Sequence, residues 1–378
     1  MKIAVLGAGM VGSAMAADLS KKFVVTSIDR SVAVLENVKQ KYPQLNIKQH
    51  DLGEVDTYDD LLKDFDIVVT AVPGFMGYRT LQAVLAAGKN VVDISFSPED
   101  TMHLDGLAKE KNVTAIVDCG VAPGMSNFII GYYNEFMHIE RFECLVGGLP
   151  KLRVKPFEYK APFSPIDVIE EYTRAARFVE NSHIITREAL SDIESIDFAQ
   201  AGTLESFNTD GLRSLIYTMK HIPNMKEKTL RYPGHVSLIQ SLIKGGFFST
   251  QKIKHNGVDI TPLQFSSAVL FDQWKLGTEE AEFTIMRITL SGTLKTDLSV
   301  KKTFIYNLYD EYDPISKTSS MARTTGYTCN AAVELIANKL FNKKGVFPPE
   351  LVGGETGCFD FVMKYLSDRN VSYTLLES

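Results

Sequence analysis

A chain of 378 residues, 45% hydrophobic and 23% charged, carries enough apolar material for more than one core, and its length favours two domains. The formal net charge of -6 offers no basic surface for nucleic acid or an anionic membrane, and no run of about 18 uncharged apolar residues predicts a membrane span. Four cysteines without a C-x-x-C pair, and seven histidines without paired ligand spacing, argue against a redox dithiol and against a metal site.

From Lys2 to about Val121 short β-branched runs alternate with amphipathic stretches, the pattern of βαβ units around a parallel sheet. Six strands are predicted: Ile3–Leu6, Val24–Ile28, Asn46–Gln49, Ile67–Ala71, Val91–Ile94 and Thr114–Val117. Val11, Ala14, Met15 and Leu19 share one helical face, as do Leu81, Val84 and Leu85 ahead of a capping Gly88. After Pro123 the rhythm changes to runs such as Phe142–Val146, Phe283–Leu290 and Lys302–Leu308, with turns at Glu180-Asn181-Ser182 and Leu290–Leu294. This predicts a second α+β domain, a mostly antiparallel sheet with helices on one side. A late helix over Ser319–Leu340 is expected to return to the first domain. The expected division is residues 1–121, 122–320 and 321–378.

The opening segment, MKIAVLGAGMVGSAMAA, has the lysine, apolar stretch and small residues of a secretory leader, but three glycines interrupt its apolar core. It reads better as G-x-G-x-x-G directly after a strand and at the start of a helix. Gly7 permits the tight turn, Gly9 lets a pyrophosphate approach the backbone, with Met10 and Val11 opening the helix, and Gly12 lets helix and strand pack closely. Asp29 ends the second strand, where a carboxylate accepts from the adenosine ribose hydroxyls and disfavours a 2′-phosphate, although Arg30 beside it could soften that preference. Asp51 ends the third strand, within reach of the adenine, and Ala71, Val72 and Pro73 follow the fourth. The expectation is a doubly wound Rossmann domain that binds NAD, with NADP possible, in a cytoplasmic protein with reduced thiols.

The segments Asp118-Cys119-Gly120-Val121-Ala122-Pro123-Gly124-Met125-Ser126-Asn127 and Val146-Gly147-Gly148-Leu149-Pro150 resemble the saccharopine dehydrogenase family. Phe163-Ser164-Pro165, Leu204-Glu205-Ser206-Phe207, Asp210-Gly211-Leu212-Arg213, Thr229-Leu230-Arg231-Tyr232-Pro233-Gly234-His235 and Met321-Ala322-Arg323-Thr324-Thr325-Gly326 are similar to its lysine 6-dehydrogenase branch. Saccharopine-forming members carry, as the family pattern implies, Asp before the Pro-Gly of the first motif and Cys before the Gly-Gly of the second. Ala122 and Val146 stand there instead, which implies a smaller amino-acid substrate, free lysine. The resemblance also implies a homodimer or tetramer assembled through the second domain.

Oxidising a primary amine by hydride transfer requires the free amine. Deprotonating an ammonium of pKa near 10.4 at pH 7 costs roughly 4–5 kcal/mol, so a base or a dry site is needed. Arg231 is the candidate for the substrate carboxylate, because Leu230 and Tyr232 alternate to the other face. His235 is the candidate base or hydrogen-bond donor. Asp93 and Asp118 end Rossmann strands at the ligand-binding edge, with Glu205 and Asp210 as further acidic candidates. Alternatives are a saccharopine dehydrogenase of the glutamate-forming type, a related amino-acid or polyamine imine reductase, and an NAD-binding sensor without turnover. No G-x-S-x-G elbow occurs around Ser126.

Overall fold

The computed structural model describes residues 1–162, 164–277 and 279–378. Phe163 of the Phe163-Ser164-Pro165 segment lies outside them. The strands in chain order are β1 (Lys2–Leu6), β2 (Val24–Asp29), β3 (Asn46–Gln49), β4 (Ile67–Thr70), β5 (Asn90–Asp93), β6 (Thr114–Ile116), β7 (Met137–Pro150), β8 (Ala176–Glu180), β9 (His183–Arg187), β10 (Glu194–Phe198), β11 (Gly202–Asn208), β12 (Asn224–Arg231), β13 (Ile253–His255), β14 (Val258–Ile260), β15 (Glu282–Leu294), β16 (Asp297–Glu311), β17 (Gly345–Phe347) and β18 (Tyr373–Glu377).

The first sheet is parallel throughout, in the order β17-β6-β5-β4-β1-β2-β3. Strands buried on both faces must be apolar at every position, and Ile3 to Leu6 and Ile67 to Val69 are fully buried. The chain winds outward in both directions from β1 and β4, so the crevice between the carboxyl ends of these two strands is the place where such sheets take ligands. The seventh strand, β17, comes from the C-terminal segment and pairs with β6.

In the second sheet the order is β10-β11-β12-β7-β15-β16-β18, with β8 paired to β12 and β9 to β8. β12 and β7 run parallel, whereas the other described pairs of this sheet are antiparallel. Side-chain alternation divides its strands between two cores. Phe142, Cys144, Val146, Met286, Ile288 and Leu290 face the first domain and the helix Met125–Asn134. Leu145, Leu149, Phe283 and Ile285 face the helices Pro165–Thr173, His235–Lys244 and Pro262–Trp274. Helices therefore cover both faces, not one, because these strands are apolar at consecutive positions rather than at alternate ones.

The turn expected at Leu290–Leu294 is also displaced. β15 runs on to Leu294, and the pairing register shifts between Ser291 and Gly292. A Cβ on Gly292 would overlap the His138 carbonyl, so this glycine marks a bulge with close backbone approach and not the hairpin end. The hairpin of β8 and β9 turns through Asn181 and Ser182, both at positive φ, as that sequence predicts.

The long helix Ser320–Ala337 lies against the helix Met10–Leu19, where a Cβ on Gly326 would press on Met15. Behind this contact Asp18, 3% exposed, accepts from Asn330 Nδ2 (3.1 Å), Tyr365 Oη (2.7 Å) and Arg369 Nε (2.8 Å). Burial alone would raise its pKa, but these partners, Arg369 above all, hold it below the ordinary value. No helix among the described residues is long and apolar enough to cross a membrane.

Candidate active site between the two sheets

A cleft of about 930 Å³ opens at the crevice of the first sheet and is closed on its far side by β7, β12 and the helix Pro165–Thr173. Gly7, Gly9, Met10, Val11, Gly12, Asp29, Arg30, Asp51, Ala71, Val72 and Pro73 all line it. Gly7 sits at φ +104, and a Cβ on it would overlap the Ala71 carbonyl. One on Gly12 would overlap the Gly7 carbonyl. Gly9 differs: a Cβ there would meet nothing within 4 Å, because that face of the turn looks into the cleft. No side chain caps the helix Met10–Leu19, so its first N–H groups are free for an anion. Asp29 accepts from Ala8 N and Ser31 N, both at 2.9 Å, which fixes its carboxylate beside the turn. Asp51 accepts from Gly53 N (2.9 Å) at the mouth. These residues fit a dinucleotide: an open glycine face with free N–H groups at one end, a pinned carboxylate at the other.

Opposite this face the lining is rich in carboxylates: Asp118, Asp167, Glu170, Glu171, Asp210 and Glu227, with Arg174 and Arg231 among them. Most are paired. Arg213 Nε donates to Asp118 (2.9 Å), Arg177 grips Asp210 through Nε and Nη2 (2.8 Å each), Arg231 Nη2 donates to Glu171 (2.9 Å), and Arg174 Nη2 to Glu170 (3.0 Å). Burial raises the Asp167 carboxyl to about 6, against a bond from Gly74 N that links the two domains (3.3 Å). Ala122, Val146, Gly147 and Gly148 supply an apolar patch between the halves.

Arg231 reaches the cleft but is only 2% exposed and is held on every side. Its Nε donates to Tyr172 Oη (3.0 Å), Nη1 to the Leu230 carbonyl (2.9 Å), and its guanidinium lies 4.4 Å from the Tyr159 ring centre. Arg174 is the more open cation, stacked 4.8 Å over Phe96.

His235 is not among the residues that line the cleft; it stands behind Arg231. Its Nδ1 lies 2.9 Å from the Phe157 carbonyl, which can only accept, so Nδ1 carries the proton and Nε2 accepts from Tyr172 Oη (2.9 Å). The donors thus run in one direction, from Arg231 to Tyr172 to His235 to Phe157. Burial, and then the nearby Arg231 charge, lower its pKa to about 3, so the ring is neutral and already fully engaged. It orients Arg231 and is not placed to act as a base. Asp93 is likewise absent from the lining and 1% exposed, accepting from the Thr70 hydroxyl and from Ser95 N (3.1 Å). It ties the ends of β4 and β5 together, and burial raises it to about 6. Glu205 accepts from Gly234 N (3.1 Å) and steadies the turn before the helix His235–Lys244.

Glu171, Glu227, Asp167, Arg174 and Arg213 are not among the site residues expected from the sequence, although Glu171 and Arg213 lie in segments that carry the family resemblance. Glu227 had a readable signal: on a strand it shares a face with Thr229 and Arg231, all three of which line the cleft. The others depend on long-range packing.

Residues 3–116 match the model of the saccharopine dehydrogenase NADP binding domain, and residues 120–371 that of the saccharopine dehydrogenase C-terminal domain. An alpha-aminoadipic semialdehyde synthase of Arabidopsis thaliana is 23% identical over 68% of this chain and 26% of its own length. A saccharopine dehydrogenase [NADP(+), L-glutamate-forming] of Pyricularia oryzae is 24% identical over 52% of this chain and 48% of its own. The chain thus spans less than half the length of these curated relatives in the matched regions. The solved structure of an apo saccharopine dehydrogenase (L-Glu forming) from Saccharomyces cerevisiae shares the fold with a TM-score of 0.79 at 17% identity, covering 100% of this chain and 99% of that one. The chain belongs to the saccharopine dehydrogenase family, and its N-terminal domain is that family's NAD(P)-binding domain.

Proposed function

We propose that this protein is an NAD-dependent dehydrogenase that oxidises the ε-carbon of L-lysine, releasing ammonia and the 6-semialdehyde, which cyclises. The overall change is RCH2NH3+ + NAD+ + H2O → RCHO + NH4+ + NADH + H+. The observation that carries the reading is the opposition, within one cleft, of an open glycine face and a wall whose carboxylates outnumber its arginines. Such a wall attracts an amine-bearing substrate and repels a purely anionic one. Bound on the Gly7–Gly12 turn, the dinucleotide would supply the hydride acceptor.

The chain's own residues do the rest. Asp29 supports NAD over NADP, because a 2′-phosphate beside it would face a fixed negative charge. Arg231 and Arg174 are the cations available for the substrate carboxylate. Ala122 and Val146 leave the middle of the cleft apolar, which favours a neutral amine over an ammonium.

A second reading, glutamate-forming saccharopine oxidation, is favoured by Arg174, whose side chain is open enough to take a further carboxylate, and by the glutamate-forming saccharopine dehydrogenases among the relatives. The deciding experiment follows NADH formation with L-lysine and with saccharopine. Turnover of lysine supports the first reading, and turnover of saccharopine alone supports the second. We further take the protein to be a cytoplasmic homo-oligomer joined through the second domain. β18 is an edge strand with Leu375 and Leu376 exposed, a surface suited to pairing with a copy of itself. Light scattering that returns a monomer mass would overturn this.

A further inference from the structure

Besides Glu170, which has Arg174, and Asp167, which accepts from Gly74 N, four carboxylates line this wall of the cleft, and three have an arginine: Asp118 has Arg213, Asp210 has Arg177, and Glu171 has Arg231. The fourth, Glu227, has neither an ion pair nor a side-chain hydrogen bond among the described residues, although it is only 6% exposed. Its closeness to the backbone is built in, since a Cβ on Gly211 would overlap its Oε1. Leaving one buried carboxylate unpaired beside three paired ones is costly unless a cation or a proton arrives. Glu227 lines the cleft, and on the paired strand β7 its register neighbour is Cys144, two residues from Val146 of the apolar patch.

We propose that Glu227 is the group that receives the substrate's ammonium and takes its proton. This rests on the amine-oxidation reading above and assigns the base that His235 cannot be. The step balances simply: RCH2NH3+ and the carboxylate become RCH2NH2 and the carboxylic acid, with the nitrogen lone pair freed on the substrate. The groups around Glu227 set its titration. Glu171 faces it from the helix Pro165–Thr173, Asp210 and Arg213 from the 209–214 segment, Asp118 from beyond β6, Cys144 from β7 and Arg231 from its own strand. Burial first, then Glu171 and Asp210, push the carboxyl up to about 8, and Arg213 only partly opposes them. A base works deprotonated, so kcat/KM rises with pH through about 8.

The test compares wild type with Glu227→Gln and Glu227→Asp. Initial rates with NAD and L-lysine are read from about pH 6.5 to 10. Binding of L-lysine and of L-norleucine, which lacks the terminal amine, is measured by calorimetry on the NAD-saturated protein. Thermal melting and NAD affinity confirm that each variant is folded. Glu227→Gln is expected to lower kcat/KM roughly 10²- to 10⁴-fold, erase the limb near 8 and abolish most of the preference for lysine over norleucine. Glu227→Asp should keep the limb and recover part of the rate. A folded Glu227→Gln with wild-type rate, limb and preference overturns the assignment. If wild type oxidises another amine but not lysine, the lysine reading fails. Glu227 then stands or falls on whether Glu227→Gln loses the limb with that amine. If no amine turns over, and lysine and norleucine bind alike to wild type and variant, both fail.

Discussion

Replacing Gly9 with alanine should weaken dinucleotide binding without harming the fold, whereas Gly12→Ala should damage both. Gly9 has φ -66, which alanine adopts freely, and its Cβ would contact no protein atom within 4 Å. The added methyl would stand where the turn must let a pyrophosphate approach. Forcing a methyl into a close-packed contact costs about 1–3 kcal/mol, or roughly a 5- to 150-fold rise in Kd. At Gly12 the methyl would instead strike the Gly7 carbonyl and press on the Ala71 side chain. Helix and strand must separate, at a similar 1–3 kcal/mol of stability, so the melting temperature should fall by about 2–10 °C along with affinity. NADH fluorescence titration and thermal melting read the two quantities separately. A Gly9→Ala protein that binds NADH as tightly as wild type would refute the placement of the dinucleotide on this turn.

Glu282 is buried, accepts from Ser320 N, and is pushed up to about 8 by burial, with Asp310 adding to the shift. The folded state therefore holds a proton that the unfolded chain gives up near 4.5, and stability should decline as pH rises from about 4.5 to 8. Glu282→Gln should flatten that decline by on the order of a few kcal/mol, as read by denaturant melts at several pH values. On the acid side the sign reverses for His235: neutral when folded down to about 3, it contributes stability that is lost as pH falls from about 6.5 towards 3. His235→Ala should leave the Tyr172 hydroxyl without its acceptor, costing about 1–3 kcal/mol of stability and raising substrate KM, while the alkaline limb of the rate profile stays in place. Asp29→Ala releases Ala8 N and Ser31 N and should lower NAD affinity roughly tenfold, with the NADP:NAD ratio of kcat/KM rising.

The first domain was legible because a parallel sheet covered on both faces leaves apolar runs that need no long-range information. β1, β2 and β4 follow directly from Ile3–Leu6, Val24–Ile28 and Ile67–Ala71. β17 was not foreseen, because Gly345-Val346-Phe347 is too short to stand out and is a strand only because β6 offers it an edge. In the second sheet Ser291-Gly292 looks like a turn locally, and only the approach of His138 makes it a bulge. The glycines, Asp29 and Arg231 could be picked out by position within an element. The pairing of Asp118 with Arg213 and of Asp210 with Arg177 could not, since these partners lie 95 and 33 residues apart and meet only in the folded chain. His235 and Asp93 show the reverse error: each is a polar residue in a motif or at a strand end, yet each spends its hydrogen bonds on holding structure. Glu227 was legible in principle, because strand alternation places it on the cleft face with Arg231.

The most direct test of the account is NADH formation by wild type with NAD and L-lysine, run beside saccharopine and with NADP in place of NAD. Turnover with lysine and NAD should increase through about pH 8, and little should be seen with saccharopine. Turnover with saccharopine and none with lysine would contradict the lysine reading.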